Sequence, residues 1–104
     1  MAVTSKALAR TAAATSDTTL YTVPNSSTTT VVTNIAVTNT ATSSATFSIL
    51  IDSVAIQSAS TLAANTTAYF DLKQVIPANA TPKIISGSAS ATTVNFHISG
   101  VEIS

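Results

Sequence analysis

The stretch TTVVTNIAVTN, Thr29–Asn39, decides the fold. Its residues sort by alternation, with Val31, Thr33, Ile35 and Val37 on one face and Val32, Asn34, Ala36 and Thr38 on the other. A repeat of two belongs to a β-strand, whose successive side chains point to opposite faces. The β-branched residues that fill it favour extended backbone as well.

The same reading extends in both directions. Upstream, Thr18–Val23 forms a strand closed by the turn formers Pro24, Asn25 and Ser26. Downstream, a polar loop over Thr40–Ser44 leads into Ala45–Ile51, where Phe47, Ile49 and Ile51 alternate with Ser48 and Leu50. Asp52-Ser53 makes a two-residue hairpin turn, with Val54–Ser58 returning and Val54 and Ile56 facing inward. A loop over Thr61–Asn65 precedes a strand over Thr66–Val75, which sets Ala68, Phe70 and Leu72 against Thr67, Tyr69 and Asp71. Pro77 and Pro82 bracket another loop, and Lys83–Ser88 and Thr93–Ser104 supply the last strands. In the final strand Val94, Phe96 and Ile98 share one phase while Val101 and Ile103 take the other. A β-bulge at Gly100, between the two sets, is expected to reset the phase and bury both.

Seven or eight short strands with regular turn signals define an all-β fold. The expected architecture is a single antiparallel β-sandwich or barrel, jelly-roll or immunoglobulin-like, over residues 18–104. Residues 1–17, MAVTSKALARTAAATSD, read as an extended N-terminal arm that orders against a partner or a neighbouring subunit. Lys6 and Arg10 are its candidate partner-contact residues. On this reading, removal of residues 1–17 weakens partner binding and leaves the domain folded.

Composition narrows the function. Ser, Thr and Ala make up about half of the 104 residues, only 8% are charged, and cysteine is absent. A globular domain ordinarily carries about a quarter charged residues. The core is thin, because more than a third of the hydrophobic residues are Ala and only five are aromatic. Burial at about 25 cal/mol per Å² leaves such a monomer a small margin, which points to association. Net charge is zero, with no basic stripe to follow phosphates, so no nucleic-acid partner is expected. No membrane partner is expected either, since no run is long enough for a spanning helix. Lys6 and Arg10 are not followed by the apolar stretch of a signal peptide, so a cytosolic origin is expected.

Groups able to do covalent chemistry are sparse and do not converge. The one imidazole, His97, alternates with Phe96 and Ile98 and is expected to face outward. No G-x-S-x-G elbow is present. Asp52 serves a turn, Asp71 and Lys73 read as solvated strand charges, and no pair of carboxylates is spaced for acid–base work. Neither a catalytic residue, a metal ligand set nor a cofactor site is expected.

Several segments resemble a family of small bacteriophage virion proteins. They are Thr18-Thr19-Leu20-Tyr21-Thr22-Val23-Pro24, the Thr/Val-rich strand ending Thr38-Asn39-Thr40, Ile51-Asp52-Ser53-Val54-Ala55, Ala63-Ala64-Asn65-Thr66-Thr67-Ala68, and the closing Ile98-Ser99-Gly100-Val101-Glu102-Ile103-Ser104. The resemblance covers nearly all of the chain after Asp17 and carries no catalytic residue. It implies a β-sandwich subunit of a phage particle, on the capsid as a decoration or cement protein or in the tail. The implied partners are copies of the chain itself, as a trimer, and a major capsid protein or another virion protein. The alternative is a receptor- or carbohydrate-binding module of a tail, baseplate or fibre, for which Tyr21 and Tyr69 beside asparagines are the candidate contacts.

Overall fold

Thr29–Asn39 is a strand over its full expected length and is paired on both sides. The computed structural model describes residues 2–104. Its strands are β1 Val3–Ala12, β2 Thr18–Thr22, β3 Thr29–Asn39, β4 Ala45–Ile51, β5 Val54–Leu62, β6 Thr66–Ile76, β7 Ile84–Ala89 and β8 Val94–Ile103. The chain runs as one long hairpin folded over on itself. β4 pairs with β5, β3 with β6, β2 with β7 and β1 with β8, all antiparallel. Successive pairs fall in alternate sheets, and the β3–β8 and β4–β7 contacts complete a first sheet β1-β8-β3-β6 and a second sheet β2-β7-β4-β5. That strand order is a jelly roll.

The core lies between the two inner faces. Val32, Ile35, Val37, Phe96 and Ile98 from the first sheet meet Phe47, Ile49, Ile51 and Ile85 from the second. Phe47 and Phe70 bridge the sheets with ring centroids 6.1 Å apart. The Asp52-Ser53 turn forms as expected, with φ of 53° and 61°, a pair of positive values that suits the twist of a tight hairpin. At one end of the sandwich, fully buried Asn39 joins three loops. Its Nδ2 donates to the carbonyls of Ser43 at 2.9 Å, Leu62 at 3.3 Å and Ala63 at 3.4 Å. Its Oδ1 accepts from the Ala41 amide at 3.1 Å and the Thr93 hydroxyl at 3.3 Å. Every polar atom of that side chain is therefore satisfied, which is what makes its burial tolerable.

The expected arm is instead part of the sandwich. Val3–Ala12 is an edge strand whose ladder runs along β8 from Val3 opposite Ile103 to Ala12 opposite Asn95. Leu8, Ala9 and Ala13 are buried there. Small side chains hide the strand from a hydrophobicity pattern, yet pairing with β8 satisfies backbone groups that a free arm leaves to water.

The phase of β8 is also corrected. Gly100 carries no bulge: Val94, Phe96, Ile98, Gly100 and Glu102 follow one inward phase, and Val101 and Ile103 point outward. The irregularities lie on the neighbours, at Leu8 in β1 and at Thr33 in β3. The Thr33 bulge moves the first half of β3 out of the expected phase, so Thr30 and Val32 face the core and Val31 does not. Val54, expected inward, is 67% exposed at the end of edge strand β5.

Gly100 is the reason for this arrangement. A Cβ at that position would stand 2.3 Å from the Val31 carbonyl oxygen and 2.9 Å from Leu8 Cδ1. Backbone of β3 and the side chain of Leu8 thus fill the space a side chain would take. Gly100→Ala should lower stability by about 1–3 kcal/mol, read from the denaturation midpoint at unchanged slope. Removal of residues 1–17 should cost more. With β8 left as an open edge, the truncated chain should lose at least about 3 kcal/mol or fail to unfold cooperatively. A truncated protein as stable as the intact one would show that β1 is dispensable to the fold.

Candidate assembly surface

At the end of the first sheet beyond Gly100, the usual distribution of polarity is reversed. The continuous phase of β8 turns Glu102 toward the interior. Tyr21, from β2 of the opposite sheet, donates its phenol hydrogen to Glu102 Oε2 at 2.5 Å. The buried Thr30 hydroxyl lies 2.8 Å from the same phenol oxygen and donates to it, since the phenol hydrogen is already committed. Lys6 Nζ closes the cluster from the edge, 3.3 Å from Glu102 Oε1. This group ties β1, β2, β3 and β8 together across the sandwich. Burial and the Glu102 hydrogen bond push the Tyr21 phenol from 10.0 up to about 12, with the Thr30 hydrogen bond pulling the other way.

On the outer face of the same sheet, cross-strand registers arrange the side chains in rows. Val3 and Ile103 begin the series beside Thr29, and Ser5, Val101, Val31 and Val75 follow. Next come Ala7, Ser99, Asn34 and Asp71, and then Arg10, His97, Ala36 and Tyr69. Ala12, Asn95, Thr38 and Thr67 complete the face. Val3 and Val75 are 63% and 58% exposed, and Val31, Val101 and Ile103 are half-buried. The second sheet differs outside: Thr46 stands beside Thr61 and Ser48 beside Ser88.

The two residues proposed as partner contacts are thus separated in role. Both lie on β1, but Lys6 is engaged with Glu102 toward the interior, and Arg10 is exposed on the outer face in the row of His97. His97 faces outward, opposite Arg10 of β1 and Ala36 of β3. Asp71 accepts from Asn34 Nδ2 at 3.3 Å and, with Thr33, Leu72 and Lys73, lines a shallow open depression at the β3–β6 irregularity. Asp52 pairs with Lys83 at 3.3 Å beside its turn. Among the described residues, no group of three His, Asp or Glu side chains could hold a metal ion. Tyr21 is buried by its cluster, whereas Tyr69 is 73% exposed. Sequence alternation missed the Tyr21–Glu102 pair, because the two residues are 81 positions apart and meet only across the sandwich.

Solved structures resemble this arrangement. A chain of the T13 particle of infectious bursal disease virus superposes with a TM-score of 0.55 at 14% identity, over 97% of this chain and 30% of that one. A chain of the Gx strain of that virus aligns over the same shares at 15% identity with a TM-score of 0.48. The chain therefore spans about a third of the length of these viral chains, and the first likeness establishes a shared fold. No protein-family model matches the sequence, nor does any curated protein.

The buried cluster has a spectroscopic signature. In a Tyr69→Phe protein the remaining phenol is Tyr21, and its phenolate absorbance should rise near pH 12 rather than 10. Because the folded value lies above the unfolded one, this phenol's contribution to stability is complete below about pH 10. It declines as pH rises through about 12. Ionisation at the ordinary value would show that Tyr21 is open to water.

Proposed function

We propose that the protein is a non-enzymatic structural component of a bacteriophage virion, a decoration or cement protein that assembles on the capsid as a homo-oligomer. The observation that carries this reading is the outer face of the first sheet. It presents valines, hydroxyls and well-separated charges in rows, a contact surface without converging reactive groups. A jelly roll shared with a chain of a viral particle supports the reading, and so does the resemblance of the sequence to small phage virion proteins. In place of a flexible arm, the rigid edge strand β1 offers Arg10 to a capsid protein or a neighbouring subunit.

The action is mechanical. A subunit that binds only the assembled shell stabilises it by mass action, with no turnover. Surface buried across capsid joints then opposes expansion of the shell. The alternative, a carbohydrate-binding module of a tail or fibre, has exposed Tyr69 near the Asn34–Asp71 pair in its favour.

Antibody-gold labelling of purified particles separates the readings. Label repeated over the capsid is expected. Label confined to the tail, together with a glycan-array hit lost in Tyr69→Ala, would establish the alternative, and unlabelled particles would exclude both.

A further inference from the structure

We infer that the outer face of the sheet β1-β8-β3-β6 is a self-association surface, on which a second copy of this chain packs face to face about a two-fold axis parallel to the strands. The inference names the contact between copies in the homo-oligomer proposed above, and its test in solution succeeds or fails whether or not particles carry the protein.

The first observation is the reversed end of the sheet. Glu102 is turned inward and neutralised there, while Val3, Val31, Val75, Val101 and Ile103 form a continuous apolar band outside it. The band crosses all four strands, whereas isolated surface hydrophobes need no explanation. A chain with so little core to spare gains most by covering it.

The second observation selects the occupant. A two-fold axis parallel to the strands and midway between β8 and β3 lays each row on itself in reverse order. Val101 then meets Val31 of the copy, and Ser99 meets Asn34. An axis across the strands, when the faces overlap fully, would set Val31, Val75 and Val101 over the row of Arg10, His97 and Tyr69, and Val3 and Ile103 over the row of Asn95, Thr38 and Thr67. Only the parallel axis lays the two apolar rows on themselves, with Val101 on Val31 at the centre and Ser5 on Val75 and Thr29 on Ile103 beside it.

Charge follows the same symmetry. Arg10 and Asp71 lie on opposite edges of one sheet, three strand intervals of about 4.8 Å apart, too far to pair within a copy. In the two-fold arrangement β1 of one copy faces β6 of the other. Arg10 then passes over the exposed Tyr69 ring, with Asp71 of the copy two residues, about 7 Å, along the strand. Lys73 comes opposite the uncharged Ser5 and Ala7. Zero net charge leaves no long-range repulsion between copies.

The size is sufficient. Four strands spaced about 4.8 Å apart, with ten residues at about 3.3 Å each, present roughly 600 Å² per copy, or about 1,200 Å² in total. Stable interfaces begin at about that area. On the outer face of the second sheet Leu50 stands beside Ala55 and Ser86, and the opposed hydroxyls of Thr46 and Thr61 and of Ser48 and Ser88 fill the rows that follow.

Sedimentation equilibrium of the full chain tests the inference. The wild type should form a dimer, and Val101→Lys should raise its dissociation constant at least about tenfold. Val75→Glu, at a position already exposed on an edge strand, should do the same with an unchanged circular dichroism spectrum. Arg10→Asp and Asp71→Arg should each weaken the dimer, and the double variant should restore it, because the exchanged charges meet only between copies. A wild-type monomer at millimolar concentration would overturn the proposal. So would a dimer indifferent to both apolar variants, or a double variant no tighter than the single ones.

Discussion

The close approach of β3 to β8 at Gly100 governs the rest of the first sheet. With no Cβ in the way, the Val31 carbonyl and Leu8 side chain occupy the inner side of β8 at that point. β8 passes through without a break in phase, and its neighbours absorb the mismatch by bulging at Leu8 and Thr33. Bulges bend a strand and increase its local twist. Here they re-aim whole half-strands: inward faces on either side of the bulge are drawn from different alternations of the same sequence. The reversed polarity of the sheet's end follows from that one geometric fact.

What holds so light a sandwich together is a division of labour between its two ends and its middle. Ile35, Ile49, Ile85, Phe47 and Phe96 supply the apolar area at the centre. Toward the ends, buried polar groups join a smaller apolar set, Leu62 and Val94 at one end and Val23 and Ile76 at the other. Asn39 pins three loops at one end, and the Tyr21–Glu102–Thr30 cluster crosses between sheets at the other. A net hydrogen bond is worth only about 0.5–1.5 kcal/mol, but a buried partner left without one costs about 1–3 kcal/mol. These clusters therefore act chiefly as specificity devices, setting how the sheets register against each other.

Much of this architecture was legible in the sequence, and the failures have a common cause. Alternation located β3 to its last residue, as well as β4, β6 and the Asp52-Ser53 turn, because each is a local property of consecutive residues. β1 was misread because its buried residues are Leu8 and small alanines, and a strand recognised by its partner leaves little trace in its own hydrophobicity. The phase of β8 was misread because Gly100 suggests a bulge, whereas the glycine serves a close approach by another strand and the bulges sit where no glycine marks them. Arg10 was found as a candidate contact by its charge. Its place opposite His97, and its separation from Lys6 in role, needed the register of β1 on β8.

The reversed end also reconciles composition with assembly. Turning Glu102 inward spends a carboxylate where a valine would ordinarily go, and turning Val101 and Ile103 outward exposes apolar area that the small core lacks. For an isolated monomer both choices are unfavourable relative to the opposite phase. They become favourable together when the outer face is covered, because the band then adds buried area at about 25 cal/mol per Å² while Glu102 keeps its hydrogen bonds to Tyr21 and Lys6. A surface otherwise wetted by hydroxyls, with an apolar band across one sheet, suits the self-association inferred for that face. The same scarcity of large side chains that thins the core makes the area of that band a large addition to what the chain would bury if the face were covered.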